Sequence, residues 1–249
     1  MTTETVAVDV SQDWATACDV QQRFMERPGP RIDTLRYSAL CRQVLALGGD
    51  GYDFLPLAHN RLGLAIGDAS GKSLAAALMI SSVMSSLRTA ACFAGDDPAA
   101  VLAAVNAQTC ASTLADRYAT LFYAVFEGSA RTLHYVNGGH NPPLVIRKDR
   151  TVIALETGGV PVGIFPNWSY EEGNVQLNPG DLMIAYTDGL TEARNPGDEE
   201  WGVERLRKAV EESAAEEPEE IAREIFAAME EFSRGRQTDD ATVIVGQVR

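Results

Sequence analysis

Apolar and polar residues recur along the chain with two different periods, and these periods divide it into helices and strands. Apolar positions repeat at helical spacing over residues 13–26, which predicts a first helix. Residues 34–47 suit one or two strands, and residues 48–72 predict a hairpin that turns at "AHNR" and ends in a glycine-rich corner. Residues 72–93 are rich in Ala, Leu and Met and lack Gly and Pro, so they predict a long, mostly buried helix.

The second half of the chain continues with one helix, a series of strands, another helix and a last strand. The "DDP" at residues 96–98 predicts a cap with Pro at the first position of a helix that runs to about residue 114. Residues 216–235 predict a helix with Pro near its start and Gly235 after its end, and residues 240–248 predict the last strand. Six strands are predicted between these helices, the last ending at Asp188: 118–127, 130–139, 142–147, 151–156, 168–177 and 181–188.

This order of elements favours an α+β fold. Strands, two adjacent helices, many strands, helices and a final strand do not alternate as βαβ, which disfavours a parallel doubly wound sheet. Antiparallel sheets packed with helices in a layered sandwich fit the order better. The 249 residues, of which 45% are apolar, suffice for one large domain or two small ones with a substantial core.

Net charge and cysteine content disfavour some classes of partner and indicate the cellular compartment. The net charge of −14 disfavours a nucleic-acid partner, since an acidic surface repels a phosphate backbone. The four cysteines are scattered and form no C-x-x-C pair, which argues against a zinc ribbon or a disulfide framework and predicts reduced thiols in the cytoplasm. No charge-free apolar run of 18 residues and no basic-then-apolar N-terminus occur, so no membrane partner and no export are expected.

Carboxylates stand at four borders between an apolar strand and a loop: Asp50, Asp68, Asp188 and the pair Asp239 and Asp240. Each one alone is more typical of a turn residue. If the sheets bring these strand ends to one rim, four or five carboxylates converge and raise one another's pKa, a cost that a divalent cation removes. All-oxygen ligands suit Mg²⁺ or Mn²⁺ rather than zinc.

Several longer motifs occur in an order that resembles a known family. They are "GGDGYDF", "IGDASGKSLAAAL", "YVNGGHNPPL", "GVPVGI", "LNPGDLMIAYTDGLTEARN" and "TDDATVIV". Together they span about residues 35–248 and resemble the PPM-type metal-dependent serine/threonine phosphatases in their bacterial SpoIIE/RsbU-like branch. The resemblance implies an αββα sandwich, in which two antiparallel sheets pack face to face and helices flank them.

The resemblance also implies two Mn²⁺ or Mg²⁺ ions at one end of the sandwich. Asp68 would bridge both ions. The backbone carbonyl of Ala69 would help to hold one of them, and Asp50 would hold that same ion. The other ion would be held by Asp188 and one acid of the following pair, for which similarity favours Asp239 although the sequence alone does not separate it from Asp240. The implied metal ligands are therefore Asp50, Asp68, Ala69, Asp188 and one of Asp239 and Asp240.

The implied activity is hydrolysis of phosphoserine or phosphothreonine in a protein. In two-metal chemistry a metal-held water attacks the phosphorus in line, without a covalent phosphoenzyme. Asp68 and Asp188 would be the catalytic residues because they hold that water through the metals. The family link suggests a phosphorylated STAS-domain anti-sigma-factor antagonist as substrate, in partner-switching control of transcription.

The sequence suggests a boundary near residue 30. Residues 1–30 are interpreted as an N-terminal tail and helix, and residues 31–249 as the phosphatase domain. The helix is either a switch or dimer element, which makes a homodimer one expectation, or it only packs on its own domain. No sensor domain precedes it in this sequence, so either activation is expected from a separate partner protein or the sequence is a piece of a longer chain.

The sequence disfavours several other classes of enzyme and leaves one rival function. The "GKS" at residues 71–73 mimics a nucleotide-binding P-loop, but Gly67 leaves three residues between the glycines where the motif needs four. No C-x₅-R of a cysteine phosphatase and no G-x-S-x-G elbow are present. His140 suits a general acid and a structural turn residue equally. The rival of another class is a module that binds a phosphoprotein without hydrolysing it.

Overall fold

Two β-sheets lie face to face between two layers of helices. The computed structural model describes residues 10–25, 28–72, 74–95, 97–114 and 116–249. The helices are α1 (Val10–Met25), α2 (Leu74–Ala94), α3 (Pro98–Ser112), α4 (Asp188–Thr191), α5 (Gly202–Glu212) and α6 (Pro218–Ser233). The strands are β1 (Leu35–Arg42), β2 (Asp50–Leu57), β3 (Arg61–Ala69), β4 (Ala119–Glu127), β5 (Thr132–Gly138), β6 (Leu144–Ile146), β7 (Val152–Ala154), β8 (Gly158–Gly159), β9 (Gly173–Gln176), β10 (Leu182–Tyr186) and β11 (Ala241–Val248).

The strand order confirms the predicted antiparallel sandwich. One sheet has five strands in the order β1-β11-β10-β6-β7, and the other runs β2-β3-β4-β5-β8 with β9 paired to β5. Within the described residues every paired strand is antiparallel except the two-residue β8, which lies parallel to β5. In an antiparallel hairpin such as β2–β3, the start of one strand lies beside the end of the other.

Apolar residues form three stacked layers of core, as an αββα sandwich requires. The outer layer under α2 and α3 includes Ile80, Leu102 and Tyr123. The middle layer between the two sheets includes Phe122 and Ile244. The outer layer under α5 and α6 includes Leu206, Phe226 and Val243.

Helix α2 owes its position to small side chains on the face that meets β2 and β3. Ala76 and Ala77 are buried there and let the helix approach closely, while Ile80, Met84 and Leu87 are fully buried below it. By length and composition alone α2 could also cross a membrane, but core helices of soluble proteins pass the same test.

The first helix contacts the guanidinium of a buried ion pair that joins α2 to β2. Arg88 of α2 contacts the carboxylate of Asp53 in β2, which is 2% exposed. The same guanidinium donates to the carbonyl of Phe24 in α1 at 2.7 Å and lies over the Phe24 ring. Helix α1 therefore packs on the sandwich, while the predicted boundary near residue 30 stays a prediction.

Three predictions about elements need correction or completion. The strand expected to end at Asp188 ends at Tyr186, because the Thr242 N–H donates to the side-chain hydroxyl of Thr187 and Asp188 begins the short helix α4. The strand predicted over 168–177 shortens to Gly173–Gln176. The sequence did not predict α5 as a separate helix, because only Leu206 and Val210 of this highly charged segment are buried. Residues 1–9, Glu26 and Asp96, on which other predictions fell, lie outside the described residues.

Candidate metal centre

Strand register brings the first two predicted acids together. Asp50 begins β2 and Asp68 lies next to the end of β3, and the antiparallel pairing places them directly opposite each other. Residues directly opposite in such a pair have Cα atoms about 4.5–5.5 Å apart. On the other side of β3, Asp68 lies opposite Thr120 of β4. Two carboxylates distant in the hairpin thus share one edge of the sheet.

The second sheet brings the remaining acids to the same edge. Asp188 comes two residues after β10, and Asp239 and Asp240 immediately precede β11, which pairs antiparallel with β10. The end of one strand and the start of the other therefore meet, and the N–H of Thr187 donates to the carbonyl of Thr242 at 3.0 Å. The face-to-face packing of the sheets puts both pairs of acids at one end of the sandwich.

Two threonines join the sheets at Asp50. The Oδ2 atom of Asp50 accepts hydrogen bonds from the hydroxyls of Thr187 at 2.7 Å and Thr242 at 2.6 Å, and the residue is 2% exposed. These bonds from the five-stranded sheet fix the orientation of a carboxylate in the other sheet. Sequence reasoning missed both threonines, although each stands one or two residues from a predicted acid.

Asp239 and Asp240 have different environments. Asp240 uses both carboxylate oxygens to accept from backbone N–H groups, from Val44 at 2.8 Å and Gly49 at 2.8 Å. Asp239 instead forms an ion pair with the Lys72 ammonium at 2.8 Å and is about half exposed. Asp240 therefore holds the loop before β2, and Asp239 has a partner that solvent or a cation can replace.

The backbone at Gly49 lies close to two oxygen atoms beside the acids. A side chain at this position would come within 3.3 Å of the Ala69 carbonyl and within 3.3 Å of Asp68 Oδ1. The N–H of Ala69 donates to the Gly49 carbonyl at 3.0 Å, which keeps the two loops together. Glycine at this point preserves room beside two oxygen atoms of the kind that Mg²⁺ and Mn²⁺ bind.

The acids shift one another's pKa in the direction expected for crowded carboxylates. Burial, and then the charges of Asp188 and Asp239, raise the pKa of Asp68 to about 7. Burial, followed by the charge of Asp68, raises the pKa of Asp50 well above its ordinary value. Burial and Asp239 raise the pKa of Asp188. The donor set is thus anionic, all oxygen and mutually repulsive, which fits divalent cations.

The carboxylates are gathered but not arranged as a finished cage. Within the described residues no group of three or more His, Cys, Asp or Glu side chains has the spacing of a preformed metal site. Several of the oxygens are instead engaged by Thr187, Thr242, Lys72 and backbone N–H groups. A bound cation would have to replace the Lys72 ammonium at Asp239.

The family model for Stage II sporulation protein E (SpoIIE) matches residues 58–249, more than half of the chain. This chain belongs to the SpoIIE family. The resemblance to the SpoIIE/RsbU-like branch of the PPM-type phosphatases, expected from the motifs, is therefore confirmed.

Individual relatives agree with the family assignment. Phosphoserine phosphatase RsbU of Bacillus subtilis (strain 168) is 28% identical over 243 residues, covering 95% of this chain and 70% of the relative. The solved PP2C domain of SpoIIE from Bacillus subtilis, with a regulatory fragment, superposes with a TM-score of 0.77 at 22% identity over 88% of this chain and 64% of that one. The solved RsbU and RsbW domains of a Mycobacterium tuberculosis protein give a TM-score of 0.71 at 26% identity, over 87% of this chain and 61% of that one. The chain thus spans less than two thirds of either solved chain.

His140 of this SpoIIE-family chain is enclosed by the fold. It is 4% exposed, its Nδ1 lies 2.8 Å from the Thr120 hydroxyl, and burial lowers its pKa to about 4, with the backbone of Tyr186 opposing part of the shift. The amide of Asn137 accepts from the His140 N–H at 2.7 Å and donates to its carbonyl at 3.0 Å. Of the two interpretations left open, the geometry supports the structural turn residue.

Gly189 explains why glycine follows Asp188 in this SpoIIE-family chain. Its φ angle is not positive, so a turn conformation is not the reason. A Cβ atom at this position would overlap the carbonyl oxygen of Asp240 and lie 3.2 Å from the Cβ of Asp239. Close approach of α4 to the start of β11 therefore requires glycine.

We expect Gly189→Ala to reduce metal-dependent phosphatase activity by about tenfold or more, because a Cβ 2.0 Å from the Asp240 carbonyl oxygen forces a shift of about 1 Å, and misplacing a catalytic group by about 1 Å can cost up to about a hundredfold. The measurement is steady-state hydrolysis of a small aryl phosphate with Mn²⁺. Gly197→Ala is the matched control, since Gly197 lies in an exposed loop with only Asn195 Oδ1 nearby at 3.2 Å. Equal rates for the two variants would contradict the packing argument.

Helix α1 holds the loop that leads into Asp50. Gln21 is 5% exposed; its Nε2 donates to the Gly48 carbonyl at 2.8 Å, and its Oε1 accepts from the Gly48 N–H at 3.1 Å. This two-point contact fixes a peptide two residues before Asp50. Of the two interpretations of the N-terminal helix, the contact demonstrates packing on its own domain and leaves the switch role a prediction.

We expect Gln21→Ala to lower the free energy of unfolding by about 1–3 kcal/mol, because the Gly48 peptide loses both buried partners. Urea unfolding of the metal-free protein measures this change, and calorimetric titration with Mn²⁺ should show weaker binding. Asp19→Ala, at an exposed position on the same helix, should change neither quantity. Unchanged stability in Gln21→Ala would mean that the loop does not depend on α1.

Proposed function

We propose that this chain is a metal-dependent serine/threonine protein phosphatase. The observation that carries the proposal is the convergence of Asp50 and Asp68 from one sheet with Asp188 and Asp239 from the other, at one edge of a PP2C-type fold. The relative RsbU is named a phosphoserine phosphatase, which supports this activity. The mutual elevation of the pKa values of these acids supports a site for divalent cations.

The residues present would hold two cations, Mn²⁺ or Mg²⁺, with distinct roles. Asp68 would face both cations, with Asp50 and the Ala69 carbonyl on one side and Asp188 and Asp239 on the other. When bound, such cations supply a water of lowered pKa and neutralise phosphate oxygens. A solved structural neighbour, RsbX, was determined in complex with magnesium, which agrees with this class of ion.

The protein's own groups would orient these ligands. Thr187 and Thr242 hold one oxygen of Asp50 and leave its other oxygen for a cation. Partners of this kind that orient a metal ligand usually affect metal affinity or activity by about 10–100-fold. We assign Asp239 as the direct ligand and Asp240 as the residue that holds the loop at Val44 and Gly49, because both oxygens of Asp240 already accept hydrogen bonds.

The proposed substrate is a phosphorylated STAS-domain anti-sigma-factor antagonist in the cytoplasm. The family branch supports this substrate, and so does a solved relative that combines RsbU and RsbW domains. Activation by a separate protein, a homodimer through α1 and the cytoplasmic location belong to the same proposal.

A module that binds phosphoproteins without hydrolysing them is the second candidate. The ion pair between Lys72 and Asp239 favours it, because it occupies a carboxylate that the phosphatase would need for metal. The same ion pair is compatible with a resting phosphatase, since Lys72 is exposed and can move away.

Hydrolysis of a small aryl phosphate and of a phosphoserine peptide, with Mn²⁺ and with EDTA, tests the proposal. Turnover that requires Mn²⁺ is expected. If neither compound is hydrolysed, calorimetric titration with Mn²⁺ separates the candidates. No detectable Mn²⁺ binding would contradict the phosphatase and support the binding module, in which Asp239 stays paired with Lys72.

A further inference from the structure

An exposed apolar surface borders the candidate metal centre on the side of β4. Its members are large side chains that remain between 38% and 73% exposed. They come from the chain just before β4 and from the loop between β8 and β9. This apolar surface consists of Leu114, Tyr118, Ile164, Phe165 and Trp168.

Backbone contacts hold the two segments of the apolar surface side by side. Ala119 and Val162 exchange backbone hydrogen bonds at 3.0 and 2.9 Å. A Cβ at Gly163 would lie 3.4 Å from the Tyr118 Cα, which shows how closely the segments pack. The rings of Phe165 and Trp168 lie with centroids 5.8 Å apart.

The loop is also anchored rigidly to α3. The Asn106 side chain donates to the Phe165 carbonyl at 2.8 Å and accepts from the Gly163 N–H at 2.9 Å, and Asn106 itself is fully buried. This buried amide therefore fixes the backbone of the loop that carries the exposed aromatic rings. Exposed aromatic side chains on a rigid support are typical of protein interfaces.

The apolar surface is joined directly to the segment that follows Asp68. The Ser70 N–H donates to the Tyr118 carbonyl at 2.8 Å, and the Tyr118 N–H donates to the Ser70 hydroxyl at 3.0 Å. Ser70 comes two residues after Asp68. A protein that contacts the apolar surface would therefore also reach the edge where the acids converge.

Arg117 lies between the apolar surface and the acids. Its Nη1 donates to the Ser70 carbonyl at 3.2 Å, and its guanidinium lies over Gly71, where a side chain would overlap it. The chain carries a net charge of −14, so an anionic phosphoprotein is repelled at long range. Apolar contact and a guanidinium, which suits phosphate, would offset that repulsion locally.

We propose that the surface of Leu114, Tyr118, Ile164, Phe165 and Trp168, with Arg117 beside it, docks the phosphorylated protein substrate through apolar residues that flank its phosphoserine. This inference rests on the proposed phosphatase activity and names the chemistry of the substrate around the phosphate. Small phosphate esters do not reach this surface, so their turnover should not depend on it.

Steady-state kinetics with three substrates test the proposal. The probes are a small aryl phosphate, a phosphoserine peptide with Leu and Phe flanking the phosphoserine, and the same peptide with Gly and Ser flanks. Phe165→Ala should lower kcat/KM for the apolar peptide by about tenfold, the size expected for an interface aromatic, and leave the aryl phosphate unchanged. The peptide with Gly and Ser flanks should lose little.

Phe93→Ala is the matched control. Phe93 is 88% exposed on α2, near the β2–β3 turn and thus at the end of the hairpin opposite Asp50 and Asp68. It should change none of the three rates. Unchanged apolar-peptide kinetics in Phe165→Ala, or an equal loss on the aryl phosphate, would overturn the docking assignment.

Two further outcomes are distinguishable. If the wild-type chain hydrolyses none of the probes, the kinetics test neither proposal, and fluorescence anisotropy with the two peptides tests docking instead. Weaker binding of the apolar peptide by Phe165→Ala than by Phe93→Ala would support the surface, and equal binding would overturn it. A dimer that Phe165→Ala dissociates, with unchanged peptide kinetics, would assign the surface to a second copy instead.

Discussion

Replacing Asp188 by Asn is expected to lower Mn²⁺-dependent hydrolysis of an aryl phosphate by at least about a hundredfold. Substituting residues that merely orient a metal ligand typically costs about 10–100-fold, and a direct ligand should cost at least the upper part of this range. The change keeps the shape of the side chain but removes the negative charge. It also relieves part of the repulsion that acts on Asp68, so the fold should survive.

The measurement compares kcat/KM of the wild type and Asp188→Asn over a Mn²⁺ titration, with circular dichroism to verify folding. Asp33→Asn is the matched control, because Asp33 is 87% exposed and its neighbour Arg31 lies 3.7 Å away. Equal kcat/KM for wild type and Asp188→Asn would remove Asp188 from the metal centre. Recovery of full activity at high Mn²⁺ would show that its role is limited to affinity.

Asp68→Asn is expected to abolish activity and yet stabilise the metal-free protein. Burial and the neighbouring acids raise the pKa of Asp68 from 3.8 to about 7 in the folded state. One pKa unit corresponds to about 1.36 kcal/mol, so ionised Asp68 destabilises the metal-free fold on the order of 2–4 kcal/mol. Asparagine removes that charge and should return most of this free energy.

The sign of the pH dependence follows from proton binding. Between the unfolded value of 3.8 and the folded value of about 7, the folded state binds more protons at Asp68 than the unfolded chain does. The contribution of protonated Asp68 to the free energy of unfolding is therefore fully present below pH 3.8. It is lost as the pH rises through about 7, where Asp68 ionises in the folded state. The wild type should lose stability relative to Asp68→Asn as pH rises from about 4 to 8.

Urea unfolding of both proteins in EDTA, at several pH values across this window, measures the difference directly. The two free energies should be similar near pH 4 and diverge by about 2–4 kcal/mol at pH 8. A variant that is less stable than the wild type at pH 8 would contradict the repulsion argument. Added Mn²⁺ should stabilise the wild type and leave Asp68→Asn nearly unchanged, because the cation binds only the native acids.

The acids of the candidate site were predictable from local sequence patterns. Each of Asp50, Asp68, Asp188 and Asp239 was recognisable as a carboxylate at the border of an apolar strand, because strand period and turn residues are local signals. The sandwich fold was likewise predictable from the order of the elements. The end of the strand before Asp188 was not, since it depends on the Thr242 N–H, which donates to the Thr187 hydroxyl.

Other features join residues that are far apart in the chain. The bond from Gln21 to Gly48 and the bonds from Thr187 and Thr242 to Asp50 span 27, 137 and 192 positions. No periodicity reveals such pairs. Helix α5 escaped separate prediction for a related reason, because its short buried face is defined only by what it packs against.

The sequence by itself determined the kinds of residue at the candidate site, the antiparallel α+β class and the family, since these depend on composition, local period and motif order. Only the tertiary structure decided that the acids meet at one edge, that Asp240 holds a loop while Asp239 pairs with Lys72, and that Gly163 packs against Tyr118, which is hydrogen-bonded to Ser70. The physical reason is register. Strand pairing and sheet packing set distances between residues over a hundred positions apart, and those distances determine charge, pKa and contact.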